Sequence, residues 1–186
     1  MLNISHLETC SYANGPGRRF VIWVQGCKFR CKGCGNPDTW DFHKGTLISV
    51  DRLYDMILAD KSLDGVTFSG GEPFLQAQDL CTLSKRIKEN TTLTIQAFSG
   101  YEIDEFENEE QKQLLTYVDF LIYGRFDATK KDNNQKTWIN PNGAGKWEFN
   151  NTTVEIDLDI DGNLFISGFP PSDLIKNLEN LDNERI

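Results

Sequence analysis

Arg18-Arg-Phe-Val-Ile-Trp-Val-Gln-Gly-Cys-Lys-Phe-Arg-Cys-Lys-Gly-Cys34 is the stretch on which the fold of this chain turns. Its first half is apolar, β-branched and aromatic, and a glycine closes it at Gly26, the pattern of a strand buried on both faces. Its second half sets Cys27, Cys31 and Cys34 in a loop at the C-terminal end of that strand.

Working outward, helical and strand patterns alternate. Ser49 is a candidate N-cap for a helix over Val50 to Ala59, whose apolar positions Val50, Leu53, Tyr54, Ile57 and Leu58 keep helical spacing. Gly65 to Ser69 reads as a second strand that runs into two glycines. A helix over Ala77 to Lys88, a strand over Thr92 to Phe98, a helix near Asp104 to Thr116 and a strand over Val118 to Tyr123 continue the pattern. Such alternation predicts an α/β fold with a parallel sheet and right-handed crossovers. Beyond Gly124 the character changes. Lys130 to Trp147 has no period and reads as a long surface loop anchored by Trp138 and Trp147. Thr153 to Ser167 alternates on either side of Asp161-Gly162, which predicts a hairpin with a primed turn. A short helix over Ser172 to Leu181 follows. The expected division is a core over 1–128 and a C-terminal extension over 129–186, either in the same domain or as an appendage.

The 186 residues, 39% apolar and 11% aromatic, supply a real core and exclude a disordered or collagen-like chain. A formal net charge of −9 argues against nonspecific attachment to nucleic acid or an anionic membrane. Met1 to Cys10 has no basic lead and no apolar run, and Phe20 to Val24 is too short to span a bilayer. A thiol-reducing, cytoplasmic setting is the expectation, and five cysteines, three of them clustered, make a poor disulfide framework.

The spacing C-x3-C-x2-C places three soft ligands on one short loop. They can bind three corners of a cubane 4Fe-4S cluster and leave the fourth iron open to a small molecule. The competing reading is a zinc site with His43 as fourth ligand. Against it, zinc loops of this kind pair two C-x2-C knuckles, and the sequence has none. Here the chain resembles the radical S-adenosylmethionine (SAM) superfamily, whose members carry these cysteines after the first strand of a partial α/β barrel. Ser69-Gly70-Gly71-Glu72-Pro73, one βα unit later, resembles that family's Gly-Gly-Glu-Pro element, which contacts the SAM amino group. The stretch from Asn14-Gly15-Pro16-Gly17 through Cys34-Gly35-Asn36 and Thr39-Trp40 resembles the activating proteins of anaerobic ribonucleotide reductases, a branch of the glycyl-radical-enzyme activases. So do Ser99-Gly100-Tyr101 and Val118 to Phe126. In that branch, as here at Gly33, no aromatic residue precedes the third cysteine.

The resemblance implies a partial (β/α) barrel with a C-terminal loop and hairpin. It implies one 4Fe-4S cluster on Cys27, Cys31 and Cys34, and SAM held by Gly33, Cys34, Gly35, Ser69, Gly70, Gly71, Glu72, Ser99 and Arg125. No catalytic residue beyond cluster and SAM is implied. The activity would be reductive cleavage of SAM to a 5′-deoxyadenosyl radical and hydrogen abstraction from a glycine of a large glycyl-radical protein. A radical SAM enzyme acting on a peptide or small molecule is the alternative. A flavodoxin- or ferredoxin-like reductant is expected; a nucleic acid or membrane partner is not. Two features depart from the branch: Tyr123 stands where activases commonly have aspartate, and the tail after Phe126 differs. Cys10, Cys81, His6 and His43 read as ordinary core or surface residues, Glu105 to Glu110 as a solvated helix face, and Arg18 and Arg19 as solvent-facing strand ends.

Overall fold

The computed structural model describes residues 1–130, 134–143, 154–158, 164–168 and 174. Its elements in chain order are β1 (Leu2–Ser11), β2 (Arg19–Val24), β3 (Thr46–Ile48), α1 (Val50–Ala59), β4 (Gly65–Gly70), α2 (Ala77–Asn90), β5 (Thr94–Ser99), α3 (Glu109–Tyr117), β6 (Phe120–Tyr123), β7 (Lys136–Ile139), β8 (Val154–Leu158) and β9 (Leu164–Gly168). Seven strands form one sheet in the order β3-β1-β2-β4-β5-β6-β7. The pairs β2/β4, β4/β5 and β5/β6 are parallel. The outer pairs β1/β2, β1/β3 and β6/β7 are antiparallel.

The four parallel strands follow one another in chain order, so each right-handed crossover steps the same way and the helices fall on one face. Phe20, Ile22 and Val24 of β2, Val66 and Phe68 of β4, and Ile95 and Ala97 of β5 pack there against Leu53 and Ile57 of α1, Leu80, Leu83 and Ile87 of α2, and Leu114 of α3. The period of two then sends Arg19, Val21 and Trp23, Thr67 and Ser69, and Gln96 to the opposite face. This is the expected α/β architecture, a parallel-rich sheet with its helices on one face.

Local chemistry explains the element boundaries. Ser49 accepts the Arg52 amide at 3.1 Å, so α1 begins where its cap predicts. The third helix starts later than expected. Ile103–Glu105 forms a separate 3-10 turn, Phe106 is buried behind it, and Asn108 caps α3 through the Gln111 amide at 2.8 Å. Glu105 is therefore not on a helix face: it closes a capping box with Glu102 and pairs with Arg125.

Three further corrections concern segments read too plainly. Residues 2–11, noted only for lacking an address signal, form β1 and pair along β2. Lys136–Ile139, assigned to a loop, is a strand that extends the sheet beside β6, with Trp138 opposite Leu121. Four residues are too few to show a period, and only the partner strand reveals the pairing. Arg19, expected at a solvent-facing end, is fully buried. Its guanidinium donates to Thr67 Oγ1 at 2.6 Å, Val66 O at 2.7 Å, and Pro16 O and Thr94 Oγ1 at 3.1 Å. Burial pulls its pKa down to about 10, with the charges of Asp119 and Asp64 opposing.

The two strands of the expected hairpin are present as β8 and β9, with Val154 opposite Gly168. The Asp161-Gly162 turn, Trp147 and, apart from Leu174, the helix over Ser172 to Leu181 lie outside the described residues. Among the described residues no helix is long and apolar enough to cross a membrane.

Candidate metal centre and cofactor site

The C-terminal ends of the parallel strands place the sequence motifs side by side. Val24 is in register with Gly70, and Ser99 with Tyr123. The cysteine loop leaves β2, Ser69-Gly70-Gly71-Glu72 ends β4, Ser99-Gly100-Tyr101 ends β5, and Gly124-Arg125 follows β6. In parallel α/β sheets this is the end at which ligands bind, because the connecting loops converge there.

The cysteine loop is fastened at both ends. Gly26 donates to Thr39 O at 2.7 Å and Cys27 to Trp40 O at 3.3 Å. The Gln25 amide stitches the same return segment through Asp38 O at 3.0 Å and Asp41 O at 2.7 Å. Ala128 donates to Lys32 O at 3.2 Å, which ties the far side of the loop to the chain after β6. Cys27 is buried, and Cys31 and Cys34 are half-buried. Burial pushes the Cys27 and Cys31 thiols up, so in the free loop they hold their protons, and a metal must displace them. Gly33 lies exposed beside Ala128, and Gly35 has open space around it.

Among the described residues no three His, Cys, Asp or Glu side chains meet at a point where they could hold a metal ion. The three thiols share a loop without closing on one centre. The donor set nonetheless fits a cluster. It offers three soft sulfur donors within eight residues, one of them buried beside the strand ends. His43 offers no fourth ligand: it is exposed in a groove with Arg30, Trp40 and Phe42, and its amide caps Asp41 at 2.9 Å.

The turn after β4 packs directly on the cysteine loop. Gly71 donates to Val24 O at 2.7 Å, and Glu72 donates to Gly26 O at 2.9 Å. A Cβ on Gly71 would stand 2.4 Å from Gly26 O, so the two backbones can approach this closely only at glycine. The Glu72 side chain, 1% exposed, points inward. One oxygen accepts from Phe74 N and Ser99 Oγ, both at 2.9 Å, and the other accepts from Gly100 N at 2.7 Å. Burial pushes its pKa up to about 7, against the opposing effect of those three hydrogen bonds and of Lys28. Ser69 and Ser99 are buried at their strand ends. Arg125 is exposed, paired with Glu105, and its guanidinium lies 4.5 Å from the centre of the Phe29 ring. Tyr123 is half-buried, with Lys136 Nζ 5.9 Å from its ring and donating to Glu102 at 3.0 Å.

The structure thus gathers all the sequence-derived site residues at one end of the sheet. Sequence reasoning overlooked Phe29, Glu102 and Lys136. Phe29 carries a signal in hindsight, since it is the one apolar residue among the cations of Lys28-Phe29-Arg30.

Residues 13–142 match the family described as the 4Fe-4S single cluster domain. The chain belongs to this family. Among its relatives is the anaerobic ribonucleoside-triphosphate reductase-activating protein of Enterobacteria phage T4, 31% identical over 157 residues, covering 78% of this chain and 99% of the phage protein. The protein of the same description from Haemophilus influenzae is 35% identical over 127 residues, covering 64% of this chain and 81% of that protein. The pyruvate formate-lyase-activating enzyme of Clostridium pasteurianum is also 35% identical over 127 residues, covering 66% of this chain and 51% of the enzyme. The chain spans about half of that last relative. It falls in the activating-protein branch that its motifs resemble. Family membership excludes the zinc-module reading, because the matched unit is defined by an iron–sulfur cluster.

Proposed function

We propose that this chain is a radical SAM activating enzyme that draws a hydrogen atom from a glycine of a large partner protein and leaves a stored glycyl radical there. The observation that carries the reading is the convergence of the four loops that follow β2, β4, β5 and β6 on one end of the parallel sheet. When bound, a cluster with one iron free of protein ligands supplies the electron that cleaves SAM to methionine and a 5′-deoxyadenosyl radical.

The residues of the chain divide the remaining work. Cys27, Cys31 and Cys34 hold the cluster after giving up their thiol protons. The backbone of Ser69-Gly70-Gly71 offers carbonyl acceptors for the SAM ammonium, while Glu72 spends its carboxylate holding the neighbouring Ser99-Gly100 turn in place. Arg125 supplies a cation beside the loop. The buried strand ends at Val24, Ser69 and Ser99, with buried Cys27 beside them, limit water around a reactive radical. The partner is a glycyl-radical enzyme of the anaerobic ribonucleotide reductase kind, and the electron donor is a flavodoxin- or ferredoxin-like protein. The extension over 129–186, whose sequence departs from the tail pattern of the branch, carries the determinants of partner choice.

Anaerobic reconstitution tests this reading. About four irons and four sulfides per chain are expected, with SAM converted to 5′-deoxyadenosine under reductant. A persistent doublet in electron paramagnetic resonance should develop only when a glycyl-radical partner is added. A reconstituted protein that cleaves SAM but transfers no radical to any such partner would overturn the activase reading.

A further inference from the structure

Phe29 stands at the middle of the first cysteine interval, between exposed Lys28 and exposed Arg30. A spacer in a metal loop has no need of an aromatic ring, yet this ring is half-buried and contacted on several sides. It meets Tyr101 edge-on, with centroids 4.8 Å apart and planes at 84°. The Arg125 guanidinium lies 4.5 Å from its centre. Beneath it is the bare α-carbon of Gly100, where a Cβ would come within 2.4 Å of Phe29 Cδ2. Phe29 therefore sits in a seat that exists only because position 100 has no side chain.

The seat is itself fixed. Gly100 N is bound to Glu72, and Tyr101 N to Ser99 Oγ at 3.1 Å. Tyr101 leans on Phe106 at 5.8 Å, which stacks on Phe74 at 4.3 Å, just after the Gly-Gly-Glu-Pro turn. Lys28 Nζ, from the cysteine loop, lies 4.6 Å over the Tyr101 ring and adds a second cation contact. Three segments thus meet at one ring: the cysteine loop, the turn after β5 and the strand end after β6.

We propose that Phe29 is a positioning residue: its ring, seated on Gly100 between Tyr101 and Arg125, sets where the cysteine loop stands relative to the turns that receive SAM. The purpose rests on the radical SAM reading, whereas the anchor itself is a property of the cluster-free chain. The physical case is one of ordering. A site works when its ligands are held near their productive geometry by packing that is already in place. Edge-on aromatic and cation–π contacts are the kind that fix a loop without burying it.

Limited trypsin digestion of the cluster-free protein tests the anchor, because Lys28, Arg30 and Lys32 are exposed cleavage sites within the loop. Phe29→Ala should be cut there about tenfold faster than the parent protein, at unchanged far-ultraviolet circular dichroism. Gly100→Ala, which fills the seat from the other side, should behave the same way, and Phe29→Tyr should be cut at the parental rate. Parental rates in both Phe29→Ala and Gly100→Ala would overturn the anchor. In reconstituted protein, the SAM concentration that half-saturates the change in the reduced cluster's paramagnetic signal should rise about tenfold in Phe29→Ala and return in Phe29→Tyr. An unchanged SAM titration in Phe29→Ala would overturn the positioning role. If the parent protein assembled no cluster at all, the proposed function would fail, and the trypsin comparison would still decide the anchor.

Discussion

Glu72 and Ser99, 27 residues apart in sequence, are joined by a 2.9 Å hydrogen bond between the carboxylate and the buried hydroxyl. The other carboxylate oxygen takes the Gly100 amide at 2.7 Å. One side chain thereby locks the ends of β4 and β5 to each other, directly behind the cysteine loop.

Removing that carboxylate should cost the protein heavily. Glu72→Ala strands the Phe74 amide, the Gly100 amide and the Ser99 hydroxyl in a buried place, a loss of about 2–4 kcal/mol and about 5–15 °C in melting temperature. The pH dependence has a definite sign. The folded pKa of about 7 lies above the ordinary value of 4.5. This residue's contribution to stability is therefore full below the ordinary value and is lost as pH rises through the folded one, by up to about 3 kcal/mol. Urea unfolding of cluster-free protein from about pH 5 to 8 should show that loss in the parent protein and not in Glu72→Gln. Parallel curves for the two proteins would remove the buried carboxylate from the account.

Replacing Cys27, Cys31 or Cys34 by Ala should each abolish SAM cleavage and lower iron uptake, since three corners of a cubane leave no spare protein ligand. Cys81→Ala should leave both unchanged, because Cys81 is buried on α2 away from the loop. Iron and 5′-deoxyadenosine analysis of the four variants checks this, and retained cleavage in any of the first three would show the cluster to be misassigned.

Arg19 is a buried cation held mainly by carbonyls and hydroxyls of β4, β5 and the turn at Pro16. Arg19→Met leaves those acceptors without donors and should destabilise the fold by about 2–4 kcal/mol in chemical denaturation. The effect should fall on stability and not on SAM cleavage by the surviving folded protein, because the residue begins β2 at the end opposite the cysteine loop.

Glu155 fastens the hairpin to the N-terminal arm. Its carboxylate accepts from the Ser11 hydroxyl, from Tyr12 N at 2.6 Å and from Ala13 N at 3.2 Å. Glu155→Ala should speed hydrogen exchange at the Tyr12 and Ala13 amides by about tenfold or more. SAM cleavage in the absence of a partner should not change. Unaltered exchange at both amides would show that the clamp contributes nothing in solution.

Much of the architecture follows from local pattern. The apolar run at β2 and the capped helix at Ser49 declare themselves through periodicity and end chemistry, both of which act within a few residues. The segments that escaped are those whose state depends on a distant partner. β7 is a strand because β6 offers it an unpaired edge, and Arg19 is buried because β4 and β5 bring carbonyls and hydroxyls to it.

The same division runs through the site. The cysteine spacing and the glycine-rich turn by themselves determined which chemistry the chain is equipped for, because ligand type and backbone approach are written in residue identity and short intervals. Tertiary structure alone decided that Glu72 turns inward to bind Gly100, and that Phe29 rests on that same glycine. Those contacts join residues 28 and 71 positions apart along the chain. No short-range pattern encodes such pairs; they arise when the parallel strands align and bring the ends of β2, β4 and β5 together.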